Sequence, residues 1–126
     1  MNRELVEMVK KEQKITLAYL FGSRVEGKVG ELSDYDIAIL TGRGVAGDFR
    51  YRFSSSLCRA LNTSKVDPII LNSAPIELAY NVISTGKLIY QQSAYERVEF
   101  EANTLSRYFD HLPVLRRQRK ELLEES

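Results

Sequence analysis

The sequence is short of cysteine, of charge of one sign and of long apolar runs, and each shortage excludes a class of protein. Cys58 is the only cysteine in 126 residues. No intrachain disulfide is possible, and a reducing compartment is the natural setting. Within Ser56-Leu57-Cys58-Arg59-Ala60-Leu61, a helix-like stretch, the thiol reads as a small packed hydrophobe rather than a nucleophile. Eighteen basic and 17 acidic residues leave a net charge of +1, without the positive excess that marks nucleic-acid binders, so a nucleic-acid substrate is disfavoured. No amino-terminal stretch has signal-peptide form, and no apolar run approaches the ~20 residues that span a bilayer. A cytoplasmic protein without a membrane partner is expected. The solitary histidine, His111, stands close to Pro113 and reads as structural rather than catalytic. Repeats and low-complexity segments are absent as well.

What is present is ordinary for a globular chain: 44% hydrophobic and 28% charged residues. The length predicts one domain over 1–126 with a core at about 1–91 and a helical segment at about 93–124. Residues 3 to 12 read as a surface helix, and Leu17-Ala18-Tyr19-Leu20-Phe21 as a buried strand that stops at Gly22-Ser23. Asp34 through Leu40 reads as a second strand, and a helix from Gly47-Asp48 runs through Phe53 and Leu57 to Asn62. Val66 to Asn72 is β-branched and of strand length. Ser73 is expected to cap the next helix, Pro75 to sit near its first turn and Gly86 to end it. Lys87 to Gln91 reads as a short edge strand, where Lys87 discourages edge pairing. From Ser93 the pattern is helical, with Val98, Ala102, Leu105, Tyr108 and Phe109 as one buried stripe. Tyr108 and Phe109 suit either core or partner contact. Pro113 is expected to break this helix, and a last helix carries a solvated basic face at Arg116, Arg117, Arg119 and Lys120. The strand and helix order predicts an α/β or α+β domain, a small mixed sheet of about four strands flanked by helices.

Chemistry concentrates in Gly22-Ser23, ten residues, then Asp34-Tyr35-Asp36. Gly22 has no side chain to hold a triphosphate away, and Ser23 offers a hydroxyl beside backbone N–H groups: a seat for anionic oxygen. Arg24 is placed either to meet a phosphate oxygen or to pair with Glu26. On a strand, Asp34 and Asp36 share a face, and their mutual repulsion is relieved by a hard divalent cation such as Mg²⁺. Ser33 reads as a local hydrogen-bonding residue before them. Asp67 near the start of the third apolar run supplies a third acid. Three acids and nucleotide phosphates can hold two metal ions about 3.5–4 Å apart, one at the attacking oxygen and one at the departing pyrophosphate. Asp34, Asp36 and Asp67 are therefore both the expected metal ligands and the expected catalytic residues, with Asp67 also accepting the nucleophile's proton.

Gly22-Ser23-x10-Asp34-x-Asp36 with Asp67 about thirty residues on resembles the nucleotidyltransferases of the DNA polymerase β superfamily, and within them the minimal nucleotidyltransferase group. Gly86-Lys87-Leu88-Ile89-Tyr90 and Tyr108-Phe109-Asp110-His111-Leu112-Pro113 look like that group too, so the resemblance spans nearly the whole chain. Pro68, directly after the third acid, departs from the aliphatic residue more usual there. The resemblance implies a polymerase-β-like fold, ATP as nucleotide donor, two Mg²⁺ ions, and transfer of AMP to a tyrosine of a partner HEPN-domain ribonuclease toxin. The chain would then be the antitoxin in a hetero-oligomer. A tyrosine hydroxyl, with a pKa near 10, is ionised in about one molecule in a thousand at neutral pH, a deficit of roughly 4 kcal/mol that metal and base would address. Two other functions fit the same motif: adenylylation of a small hydroxylated molecule, of the antibiotic-modifying type, and neutralisation of a toxin by contact alone.

Overall fold

The computed structural model describes residues 2–21, 36–45, 47–63 and 66–125. Helix α1 (Asn2–Lys11) leads into β1 (Ile15–Phe21), followed by β2 (Asp36–Thr41), α2 (Phe49–Ala60), β3 (Ile69–Ile70), a 3₁₀ turn (Leu71–Ser73), α3 (Ile76–Thr85), β4 (Lys87–Gln91) and α4 (Ala94–Glu125). The strands form one mixed sheet in the order β3-β2-β1-β4. β1 runs antiparallel to β2 and β4, and β2 runs parallel to β3.

β1 lies inside the sheet, and Ile15 to Leu20 are all buried, as a strand covered on both faces requires. One face packs Ala18, Leu20, Ile37 and Ile39 against Leu5 and Val9 of α1 and Phe49, Phe53 and Leu57 of α2. The other packs Leu17, Tyr19 and Ala38 against Ala79 and Val82 of α3, with Phe100 of α4 alongside. Each large side chain buried in this way contributes roughly 1.5–3 kcal/mol relative to exposure. The strands and the helix pair of each face thus follow from alternation along β1 and β2. At the β1 irregularity between Ile15 and Leu17, the buried Thr16 hydroxyl donates to Leu40 O at 3.0 Å.

Three expectations about where elements begin and end are corrected. The third strand shrinks to Ile69–Ile70, because Pro68 has no N–H for a ladder and the chain turns into the 3₁₀ segment straight after Ile70. Asn72 nevertheless extends the pairing with its side chain: Thr41 N–H donates to Asn72 Oδ1 at 2.9 Å, and Asn72 Nδ2 donates to Thr41 O at 2.8 Å. Ser73 does not cap α3; it closes the 3₁₀ turn, and the cap position belongs to Pro75, with extended backbone and no side-chain hydrogen bond. Pro113 does not break the last helix, since α4 runs unbroken from Ala94 to Glu125 with the proline inside it. Contacts just before it hold the helix: Tyr108 stacks on Tyr80 with ring centroids 3.7 Å apart, and His111 Nε2 lies 2.9 Å from Glu77 Oε1. His111 is thus a structural tie between α3 and α4.

Gly86 ends α3 as expected, by close approach rather than by a left-handed backbone. Its φ is −80°, and a β-carbon there would lie 2.4 Å from Val82 O and 3.3 Å from Leu20 O.

Candidate nucleotidyl-transfer site

Asp36 opens β2, half-buried, opposite Phe21 at the end of β1. Its position is fixed by alternation. Ile37 and Ile39 face α1 and α2, whereas Ala38 and Leu40 face α3 and α4, so Asp36 shares the second face. Neighbouring β3 sets Ile69 against Ala38 and Ile70 against Ile39. Carried two residues back along both chains, that offset sets Asp67 level with Asp36. Two acids thirty-one residues apart are therefore brought to the same end of adjacent chain segments.

The Asp67 side chain is 78% exposed, and Arg50 Nη2 meets its Oδ1 at 2.5 Å. Arg50 also donates from Nε to Pro68 O at 2.8 Å. One guanidinium thus ties the first turn of α2 to the segment leading into β3. The pair is too exposed to stabilise the fold much. Sequence reasoning missed Arg50, and its only signal is its place directly after the buried Phe49, at the flank of an amphipathic helix.

Of the other expected site residues, Gly22, Ser23, Arg24 and Asp34 lie outside the described residues, as do the expected turn and loop between Ser23 and Asp34. Among the described residues no group of three His, Cys, Asp or Glu side chains is arranged around a metal position; only two of the three acids belong to that set. Cys58 behaves as the packed residue expected, half-buried against the α2 face of the core with its thiol directed at Val66 O, 3.8 Å away. A surface cleft between α1 and α2, lined by Met8, Phe49, Tyr51, Arg52 and Arg59 among others, lies on the face of the sheet opposite to that of Asp36. Among the described residues, no helix is long and apolar enough to cross a membrane.

Beneath α4, Tyr19 donates its hydroxyl to Glu101 Oε2 at 2.6 Å, and Arg97 Nε holds the same oxygen at 3.1 Å. Burial first, and the Glu101 carboxylate second, push the Tyr19 hydroxyl well above the usual tyrosine range. This tyrosine is a protonated structural donor.

A four-stranded mixed sheet with an acid at the head of β2 and another level with it beside β3 is the framework of a nucleotidyltransferase. Residues 3–95 match the family described as Polymerase beta, Nucleotidyltransferase, and the chain belongs to it. Among individual proteins, it is 34% identical over 103 residues to the protein adenylyltransferase MntA of Shewanella oneidensis, covering 82% of this chain and 72% of that one. A chain from the crystal structure of a toxin–antitoxin with AMP-PNP superposes with a TM-score of 0.82 at 27% identity, over 98% of both chains. A chain from the complex of tri-AMPylated Shewanella oneidensis HEPN toxin with MNT antitoxin does so with a TM-score of 0.75 at 26% identity, over 98% of this chain and 95% of that one.

Proposed function

We propose that the chain is a Mg²⁺-dependent protein adenylyltransferase that transfers AMP from ATP to a tyrosine of a HEPN-domain toxin and acts as its antitoxin in the cytoplasm. The observation that carries the reading is the extent of likeness. A protein adenylyltransferase matches over four-fifths of the chain, and a chain from a toxin–antitoxin complex with an ATP analogue matches over nearly all of it.

Within this reading, Gly22 and Ser23 seat the triphosphate with Arg24 at a phosphate oxygen, and Asp34 and Asp36 hold the nucleotide-bound cation. Asp67 completes the second cation position and accepts the tyrosine proton. Asp36 and Asp67 suit a hard cation, since both offer carboxylate oxygen and Mg²⁺ asks for only one or two such ligands beside phosphate and water. When bound, Mg²⁺ supplies charge neutralisation at the phosphates. The tyrosine oxygen attacks the α-phosphorus in line, the bond to the β-phosphate oxygen breaks, and pyrophosphate leaves with that electron pair. Positioning rather than covalent help from the protein is the main demand. Among the described residues, the partner of the Asp67 carboxylate is Arg50, which meets it from the side of α2.

The test is substrate competition. With ATP and Mg²⁺, the purified chain is expected to label a HEPN-domain toxin, sought first in the adjoining reading frame, and to leave aminoglycoside-type alcohols unlabelled. The reverse preference would assign it to small-molecule modification.

A further inference from the structure

Of the residues expected to form the buried stripe of α4, Tyr108 is half-buried against Tyr80, whereas Val98, Ala102, Leu105 and Phe109 are exposed and continue a row begun by Tyr95. Tyr95, Val98, Leu105 and Phe109 are 69, 64, 38 and 56% exposed, and Ala102 between them is exposed as well. The buried side of α4 is instead the one carrying Phe100, Thr104 and Tyr108. Scattered exposed apolar residues are ordinary, but a continuous row along one helix face marks an interaction site. Its intervals of three, four, three and four residues are those of a coiled-coil seam, so the complementary surface is another helix. Charge narrows the partner. At about 100° per residue, Glu99, Ser106 and Asp110 border the row on one side, with no basic side chain among them. A helix with an apolar stripe and a basic edge answers both features, whereas a second copy of the same stretch brings no basic edge to that border. The chain from a toxin–antitoxin complex covers 98% of this one, which leaves too little unmatched to omit α4.

We propose that this row on α4 is where an amphipathic, basic-edged helix of the toxin seats, an assignment that rests on the antitoxin reading above. Apolar contact along the seam supplies the affinity, and the acidic border sets register and orientation. The AMP-transfer site and the toxin-holding surface are then separate parts of one chain.

The test uses the full chain and a purified HEPN-domain toxin, sought first in the adjoining reading frame. Val98→Glu and Leu105→Glu are made singly at exposed positions, with Glu99→Lys as a charge-reversed companion. Each is expected to weaken binding to that protein about tenfold or more. Each should raise KM for AMP transfer at unchanged kcat, with ATP affinity and melting temperature as in the unsubstituted chain. Undiminished binding by all three variants, while the unsubstituted chain transfers AMP, overturns the surface and leaves the function standing. Weakened binding in the variants, with no AMP transfer by the unsubstituted chain, keeps the surface and overturns the function. Loss of self-association with toxin binding intact would reassign the row to a second copy, and an unsubstituted chain that binds no such protein overturns both proposals.

Discussion

Asn72 does with its side chain what β3 stops doing with its backbone. Its amide accepts from Thr41 N–H and donates to Thr41 O, which continues the β2–β3 offset two residues beyond the last backbone pair, Ile39 with Ile70. Asn72→Ala leaves both Thr41 groups to find other partners and is expected to lower unfolding free energy by about 1–3 kcal/mol in denaturant titration. Tyr19 makes a prediction of opposite character, in pH rather than in sequence. Its hydroxyl is held protonated in the folded state by burial and Glu101, while in the unfolded chain it ionises near the ordinary value of about 10. The folded form therefore keeps a proton that the unfolded form loses, so this stabilisation is full below about pH 10 and declines as pH rises beyond it. Seven tyrosines titrate, and the readout is thus the difference between the chain and Tyr19→Phe. That difference should be constant, about 0.5–1.5 kcal/mol, at neutral pH and should shrink above about pH 10.

Among the elements, the helices and strands with unambiguous periods were legible in the sequence, and those whose ends depend on tertiary partners were not. β1 and β2 announce themselves by apolar runs, and β4 takes the edge expected of it. β3 was read too long because β-branched composition was weighed above Pro68, which the sequence shows, and gives no sign of the early bend after Ile70. The face of α4 was misread because the expected stripe joined Tyr108, from the packed row through Phe100 and Thr104, to Val98, Ala102, Leu105 and Phe109 of a second, exposed row. Hydropathy cannot tell which row meets the fold and which waits for a partner. Gly86 shows the same limit: its place at the end of α3 was legible, and its reason, the carbonyls of Val82 and Leu20 pressed against it, was not. Gly86→Ala forces those backbones apart and is expected to lower stability by about 1–3 kcal/mol, measured by thermal melting with secondary structure monitored in parallel.

For the whole molecule, the sheet order decides which strand ends become neighbours. Placing β2 between β1 and β3 makes residues thirty-one apart in sequence neighbours in space, and Asp36 and Asp67 stand at that separation. Asp36 at the head of β2 was legible in the sequence, Asp34 lies outside the described residues, and the contact of Arg50 with Asp67, which precedes β3, was not legible, because it joins residues 17 apart on a helix and a bend. In this account α1 and α2 cover one face and meet Asp67 through Arg50, while α3 and α4 cover the other and leave an apolar row for the toxin. The central claim is that Asp36 belongs to the machinery that moves AMP. Its most direct test is the intact mass of the HEPN-domain partner after incubation with ATP, Mg²⁺ and either the unsubstituted chain or Asp36→Asn. The account predicts AMP adducts with the first and an unmodified partner with the second, at equal melting temperature and equal partner binding. Equal adduct formation by the two chains would contradict it.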